Sequence, residues 1–453
     1  MHTILIKDAT VLTMRGGADD VIRGDVLVQD RIIREVGPHL SPTGVTEVVD
    51  ARGMIVMPGL VNAHMHTWQT ALRSVASNWT FPEYVRWVHA GLATVFRPRD
   101  IYIATLIGAL NQIDCGTTTL VDWCHNNPTP AHTDAAIAAL RASGIRAAFL
   151  HGTPKPDPKP GEPPYWEIPQ PREEILRLRA ELAPDAEMIS LGLAVLGPHY
   201  ATLEVTLQDF RLAQEFGLIV SMHQGGGPAR NPEGWARLEA EGLLNSLVNI
   251  VHGNDLSDAQ LARFAACDVR FTITPESEMI SGHGHPILGR LHDLGTAPSI
   301  GADIESAHSG DMLRAARTAL THQRSLDNIE ARSKNMLGGK SRLRARDALA
   351  WVTTEGARML GQQDRIGSIA PGMQADLVLL RADALNLQPI HDPISTVVMQ
   401  SHPGNIDSVM IAGAWRKRDG RLLWDDVAPL IEELNESGRR ISRDVGLQPM
   451  DIN

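Results

Sequence analysis

Two histidines stand two residues apart in the segment 62–70, which reads NAHMHTWQT. Alternate residues of a β-strand point to the same face, so His64 and His66 could bind one metal ion together. The imidazole ring is a common ligand of zinc and of other divalent transition metals. Because a His-x-His pair also occurs by chance, the rest of the chain has to supply the missing ligands in a sensible order.

Further histidines and carboxylates end a series of short apolar runs. These residues are His125, His151, His199, His223, His252, Glu276, Glu278 and Asp303. A nitrogen from His223 and an oxygen from Asp303 would complete, with the first pair, a site suited to Zn²⁺, with Fe²⁺ or Mn²⁺ as alternatives. Each histidine could instead be an ordinary buried polar residue.

A metal site of this kind predicts hydrolysis, because a zinc ion lowers the pKa of a bound water to about 7. Asp303 could accept a proton from that water, and His252 could hold the water or the developing charge. Trp68 adjoins the histidine pair and could line a substrate pocket; the alternative is core packing.

The runs themselves predict eight buried strands, alternating with helices. They begin near residues 55, 117, 146, 189, 218, 247, 269 and 298, and helices are expected at 133–143, 203–217, 258–266 and 310–325. Eight strand–helix units over roughly 270 residues predict an α/β fold, a (β/α)₈ TIM-type barrel, whose functional residues lie at the carboxyl ends of the strands.

Both ends of the chain contain short β-branched runs separated by Gly and Asp, which are typical of strands. One such strand is expected at 397–400. We therefore expect a small β-sandwich built from residues 1–57 and 364–425, a barrel at 58–363, and a carboxyl-terminal helix and tail at 426–453. The proline-rich segment 154–171 is either an ordered loop over the barrel mouth or an inert surface loop.

Charge and composition narrow the class of partner. The net charge of −11 and the pI near 5.9 argue against nucleic acid and anionic membranes as partners. The three cysteines lack a CxxC spacing, and the first residues lack the pattern of a secretory signal, which favours a cytoplasmic location. We expect a small-molecule substrate and a homo-oligomer, a dimer or larger.

The order of these motifs resembles the amidohydrolase superfamily, in particular its branch of cytosine deaminases, adenosine-type deaminases and triazine hydrolases. The resemblance is carried by PGLVNAHMH (58–66), SMHQ (221–224), IVHGND (250–255), GAD (301–303) and GSIAPGMQADLVLL (367–380).

This resemblance implies a metal ion on His64, His66, His223 and Asp303, with His252 near the water. The stretch GPHY at 197–200 resembles the substrate-contacting Pro-His of the branch, which points to His199; Trp68, His125 and Gln224 are further candidates for substrate binding. The fourth run, ISLGLAVLGPHY, has no lysine or carboxylate that could bridge two metals, so one ion is expected.

One departure from the branch concerns the proton shuttle. Related deaminases have His-x-x-Glu at the fifth strand, whereas this chain has Gly226 at the position of that glutamate. Glu278 or Glu276, from the seventh strand, could replace it, and Glu305 is another candidate. The alternative for Glu278 is a structural salt bridge.

We therefore predict a metal-dependent hydrolase that cleaves a non-peptide carbon–nitrogen bond of a small, neutral, nitrogen-bearing ring, amide or urea-like compound. A true aminohydrolase of a nucleobase-like or triazine-like ring, with a non-standard proton shuttle, is the alternative. A non-catalytic scaffold of the same fold is a third reading, against which the complete set of candidate ligands argues.

Overall fold

The computed structural model describes residues 2–17, 20–183 and 187–447. Its strands form two sheets, a parallel sheet of eight strands and a mixed sheet of nine. The expected barrel, accompanied by a smaller β-structure from both chain ends, is confirmed.

Five strands precede the barrel. They are β1 (Thr3–Leu12), β2 (Val21–Gln29), β3 (Ile32–Gly37), β4 (Glu47–Asp50) and β5 (Met54–Pro58). Strand β1 pairs antiparallel with β2 but parallel with both β4 and β5. The segment therefore combines parallel and antiparallel pairing, and its inner face packs a separate apolar cluster around Ile4, Val26 and Ile33.

The barrel consists of eight consecutive parallel strands. They are β6 (Leu60–Met65), β7 (Thr117–Cys124), β8 (Arg146–Gly152), β9 (Ile189–Val195), β10 (Ile219–Gln224), β11 (Val248–His252), β12 (Arg270–Ile273) and β13 (Ser299–Ile300). The last strand meets the first through a parallel bridge between Met65 and Asp303. The amide of His66 donates to the carbonyl oxygen of Asp303 at 2.8 Å, so β6 and the end of β13 are held side by side.

Helices connect the strands and cover the barrel. They are α1 (Phe81–Tyr84), α2 (Pro98–Asp114), α3 (Pro130–Ser143), α4 (Arg172–Leu182), α5 (Gly197–Tyr200), α6 (Leu203–Phe216), α7 (Gly234–Ala240), α8 (Asp258–Ala266), α9 (Pro275–Ile280), α10 (Leu288–Asp293), α11 (Met312–Ser333), α12 (Ala345–Trp351), α13 (Thr354–Met359), α14 (Pro393–Gln400) and α15 (Ala428–Asp444). Shorter 3₁₀ or π turns occupy Thr67–Leu72, Val85–His89, Leu92–Val95, Tyr165–Glu167 and Pro403–Asn405.

Local signals explain why α6 lies close to its expected bounds. The side chain of Thr202 accepts a hydrogen bond from the amide of Val205 and caps the first turn. Gly217 ends the helix with a φ of +62°, a left-handed conformation that glycine adopts without strain. No helix within the described residues combines the length and the apolar character needed to cross a bilayer.

The chain returns to the mixed sheet after the barrel. The last strands are β14 (Leu377–Arg381), β15 (Ile406–Ile411), β16 (Ala414–Arg418) and β17 (Arg421–Leu422), and β14 pairs antiparallel with β5. The division into the domains 1–57 with 364–425, 58–363 and 426–453 stays a prediction; residues 448–453 of the last one lie outside the described residues.

The prediction of a strand at 397–400 is wrong, because these residues form the end of α14. The side chain of Asp392 caps that helix by accepting from the amide of Ile394, and Pro393 suits its first turn. Ile394, Val397 and Val398 are buried with the i, i+3, i+4 spacing of a helix. The apolar run was too short to distinguish a strand from a helix.

A buried ion pair joins the two sheets. The guanidinium of Arg146, in β8, donates to both carboxylate oxygens of Asp376 at 2.7 and 3.1 Å, just before β14. Both side chains are almost fully buried. Such a two-pronged contact fixes the orientation of the barrel relative to the mixed sheet.

Candidate metal centre and cavity

Three imidazoles and one carboxylate converge at the carboxyl end of the barrel. One ligand atom from each of His64, His66, His223 and Asp303 lies within 4.8 Å of the others. Oδ1 of Asp303 is 3.2 Å from Nε2 of His64 and 3.4 Å from Nε2 of His66. Nε2 of His223 is 3.3 Å from Nε2 of His64. His64 lies in β6 and His223 in β10. His66 directly follows β6, and Asp303 lies three residues after β13.

This spacing fits a single divalent ion. Four nitrogen and oxygen ligands at zinc-like bond lengths of about 2.1 Å would stand about 3.4 Å apart in a tetrahedron. The Nδ1–H of His66 donates to the carbonyl oxygen of Trp123 at 2.8 Å, which leaves the lone pair of Nε2 for a metal. Burial lowers the pKa of His66 to about 3, so its ring is neutral.

Asp303 is ionised in this setting. Burial by itself would raise the pKa of its carboxyl group, but the hydrogen bond from His64 and the other surrounding imidazoles hold that pKa well below the ordinary value. The backbone of Asp303 has a φ of +62°, and that of His252 has a φ of +69°. Left-handed backbone at residues other than glycine is uncommon and concentrates at functional sites.

His252 stands beside the four ligands and is backed by a carboxylate. Its Nδ1 is 3.0 Å from Oγ1 of Thr274 and 3.5 Å from Oε1 of Glu278. The buried Glu278 also accepts from the backbone amide of Thr274 at 2.7 Å. Although burial lowers it, the pKa of His252 is raised overall by the hydrogen bond and the charge of Glu278. The pair can therefore hold a proton.

A cavity of about 610 Å³ opens in front of this group. Its lining includes His66, His223, His252 and Asp303 from the barrel strands, and Phe81, Tyr84, Val85, His89, Lys155, Tyr165, Tyr200, Ser281, His283 and Ile304 from loops and short helices. The proline-rich segment 154–171 contributes Lys155 and Tyr165, so it is an ordered loop over the barrel mouth.

Two of the expected substrate residues lie behind the cavity wall. Trp68 is fully buried and packs edge-on against Phe96, with ring centroids 5.1 Å apart. His125 shares a hydrogen bond of 3.2 Å with His89, and His89 is the ring that faces the cavity. His125 therefore reaches this space only through its neighbour.

Gln224 and His199 form a polar network next to the cavity. The amide nitrogen of Gln224 is 3.1 Å from Nδ1 of His199 and from both carboxylate oxygens of Asp255. Its amide oxygen accepts from the indole nitrogen of Trp235 at 2.9 Å. With its oxygen and nitrogen both engaged, Gln224 positions His199 in this structure.

The other candidate carboxylates face elsewhere. Glu276 pairs with Arg314 at 2.8 Å and lies 3.9 Å from His308. Glu305 accepts hydrogen bonds from Thr70 and Asn111 at 2.7 and 2.9 Å. Neither residue lines the cavity, whereas Glu278 contacts the cavity through His252.

A side chain has no room at Gly226. A Cβ atom there would lie 2.7 Å from Cε1 of Phe81 and 3.0 Å from the hydroxyl oxygen of Tyr200. The backbone φ is +91°, which strains any other residue. The space of the missing glutamate is therefore filled by two aromatic side chains.

Several cavity residues are not among those singled out in the sequence. Tyr84 and His89 come from short helical turns in the segment 67–97, and Lys155 stands between two prolines. None of these positions ends an apolar run, so strand-end reasoning could not find them. Tyr200 differs from these residues, because it lies next to His199 in the GPHY stretch and that motif could have indicated it.

A profile of the amidohydrolase family matches residues 55–416. A 5-methylthioadenosine/S-adenosylhomocysteine deaminase of Symbiobacterium thermophilum is 28% identical over 449 residues, which cover 94% of each chain.

Two solved structures have a fold similar to that of this chain. An adenosine deaminase of Xanthomonas campestris with bound zinc is similar with a TM-score of 0.80 and 25% identity, covering 97% of this chain and 98% of that one. A mutant atrazine chlorohydrolase of Arthrobacter aurescens, in complex with zinc and atraton, has the same fold with a TM-score of 0.83 and 22% identity, covering 96% and 100%.

Proposed function

The chain belongs to the amidohydrolase family, and from that premise we propose that it cleaves a non-peptide carbon–nitrogen bond of a small nitrogen-bearing ring, amide or urea-like compound. The observation that carries this proposal is the convergence of three imidazoles and one carboxylate within 4.8 Å, at the wall of a cavity of about 610 Å³. A concave site lined by aromatic side chains with a few convergent polar groups is typical of small-molecule binding.

The proposed cofactor is one zinc ion held by His64, His66, His223 and Asp303. Strand β9, the fourth of the barrel, has the sequence ISLGLAV and offers no side chain that could bridge a second ion. When bound, such an ion supplies Lewis acidity and a water that ionises at a pH of about 7.

Asp303 is the proposed acceptor of the proton from the attacking water. Its Oδ1 is the oxygen near His64 and His66, which leaves Oδ2 for the proton. The pKa of Asp303 is held well below its ordinary value, so the carboxylate is ionised at neutral pH and Oδ2 carries no proton.

His252 is the proposed donor of a proton to the departing nitrogen, and the proton that Asp303 accepts would then replace the one His252 has donated. The carboxylate of Glu278 behind its Nδ1 favours the protonated ring. Glu278 acts in this proposal through His252 and is a positioning residue. This arrangement is a means of protonating an amine without a side chain at position 226.

Deamination of a ring is the second candidate function, since two of the similar proteins are deaminases of adenosine-type compounds. It requires a proton donor other than the glutamate that Gly226 replaces, and the pair of His252 and Glu278 would have to fill that role. We further propose a cytoplasmic homo-oligomer acting on a small molecule; the net charge of −11 supports a partner other than nucleic acid.

Two measurements on purified protein test the proposal together. The metal content per chain should be near one, and a panel of aminated rings, cyclic amides, ureas and N-acyl compounds should reveal release of ammonia or amine. A chain that holds no transition metal, and gains none when zinc is added, would support the non-catalytic scaffold instead.

A further inference from the structure

Lys155 lines the cavity, where the charge of Asp303 favours its charged form without forming an ion pair with it. Its Nζ lies 5.7 Å from the ring centroid of Trp123 and 5.2 Å from that of Tyr200. No carboxylate within the described residues forms an ion pair with it. Two other lysines differ: Lys334 and Lys417 pair with acidic side chains at 2.6 and 2.8 Å.

The surroundings of Lys155 make its charge costly. Lys155 is half-buried, and loss of hydration at the cavity lowers the pKa of its ammonium group to about 8. A cation taken out of water is stabilised by a partner, and aromatic rings replace only part of the lost hydration. Lys155 therefore has the properties of a group that awaits a negatively charged ligand.

The charges of the groups that line the cavity also favour a negatively charged ligand. Asp303 is the single carboxylate among the described residues that line it, and its charge cancels that of Lys155. A divalent ion at the proposed centre would then add positive charge that no further carboxylate of the described lining offsets.

We propose that the substrate carries an anionic oxygen, on a carboxylate or on an ionised ring carbonyl, and that Lys155 binds it by a charge-assisted hydrogen bond. The inference rests on the proposed hydrolase function and narrows its substrate to anionic nitrogen-bearing rings. It departs from the neutral ring expected from the sequence. Lys155 is in this view a residue that determines substrate specificity.

Calorimetric titration at pH 7 tests this directly with three probes. Nicotinate and nicotinamide have nearly the same shape and differ in charge, and barbiturate carries its charge on the ring. We expect one anion to bind wild-type protein at least tenfold more tightly than nicotinamide. Stronger binding of nicotinate assigns a carboxylate, and stronger binding of barbiturate assigns an ionised ring oxygen.

Two substitutions in the same loop isolate the residue. Lys155→Met should weaken binding of the preferred anion at least tenfold and leave nicotinamide within about twofold. Lys159→Met, at an exposed position of the segment 154–171, should bind all three probes like the wild type. Lys155→Met removes an unpaired charge and should melt no earlier than the wild type, which separates lost binding from lost folding.

A pH series provides a second readout. Anion binding should fall as the pH rises past about 8, because Lys155 loses its proton there. Asp303, Tyr84, Tyr165, Tyr200 and the histidines also line the cavity. The effect of Lys155 is therefore the difference between wild type and Lys155→Arg, which keeps its charge and should retain binding to higher pH.

Equal affinity of wild type and Lys155→Met for both anions would overturn the inference, as would a wild-type preference for nicotinamide. The metal content of the same samples separates the two proposals. Lys155-dependent anion binding by a protein that takes up no metal refutes only the hydrolase function. A metal-containing protein that hydrolyses neutral rings, with no contribution from Lys155, refutes only the anionic substrate.

Discussion

Oε1 of Glu278 lies 3.5 Å from Nδ1 of His252, and the carboxylate itself does not line the cavity. A buried acid that touches the cavity through an imidazole can change the chemistry without contacting the substrate. This relationship separates Glu278 from Glu276, which stands two residues earlier and pairs with Arg314.

Glu278→Gln should lower kcat by about 10–100-fold and change KM little, because the group behind His252 loses its charge. Metal content should be unchanged, since Glu278 is not among the proposed ligands. Glu276→Gln, which loses the pair with Arg314, should change the melting temperature more than kcat. Equal losses of kcat in the two variants would contradict the proposed role of Glu278.

His66→Ala or Asp303→Asn should abolish turnover and reduce the bound metal below one ion per chain. The first variant removes an imidazole ligand, and the second removes the negative charge of the carboxylate ligand. Elemental analysis measures the metal, and circular dichroism checks that the fold persists. Chelation of the wild type should give the same inactive state, and added zinc should restore activity only to the wild type. Full activity in either variant would refute the site.

Gly226→Ala should destabilise the protein by about 2–4 kcal/mol, from left-handed backbone strain and the contact with Phe81. Gly227→Ala is the matched control, because its φ is +124° but no atom lies within 4 Å of its added Cβ. It should cost about 1–2 kcal/mol. Urea unfolding measures both, and the Gly226→Ala cost should fall in a Phe81→Ala background. An unchanged cost there would remove the steric argument.

Asp209→Asn should stabilise the protein, and more at pH 8 than at pH 5. Burial raises the pKa of Asp209 to about 7; one oxygen accepts from the amide of Gln170, and the other has no partner. Because the folded pKa exceeds the unfolded one, wild-type stability is lost as the pH rises from about 4 to about 7.

The difference in unfolding free energy between Asp209→Asn and wild type should therefore grow by roughly 2–3 kcal/mol from pH 5 to pH 8. Urea titrations at the two pH values measure it. The exposed Asp364 provides the control, since Asp364→Asn should show no comparable growth. A difference that is the same at both pH values would show that Asp209 is already ionised at pH 5.

The barrel could be predicted because the apolar runs that form its strands end in the polar residues that form the candidate site. Each strand is an apolar run, and polar residues such as His223 and His252 stand where a run ends. Parallel strands bring all their carboxyl ends to one rim, so sequence order becomes spatial proximity. The convergence of the histidine pair with Asp303 follows from that rule.

The cavity wall could not be predicted in the same way. Lys155 lies in an irregular loop, and Tyr84 and His89 end short helical turns. These turns are too short for sequence periodicity to show where their side chains point. The inward direction of Lys155 depends on how the loop packs against Trp123 and Tyr200. The sequence likewise revealed the absence of a side chain at Gly226 but not that Phe81 occupies the space.

The closure of β13 against β6 also determines when a metal centre can exist. The amide of Ala302 bonds to the side chain of Asn62, 240 residues earlier, so the first and last proposed ligands meet only at the end of barrel assembly. At ordinary rates of translation, roughly 10–50 s separate the synthesis of these two positions. Throughout that interval the nascent chain holds an incomplete ligand set, and tight ion uptake reports the completion of folding.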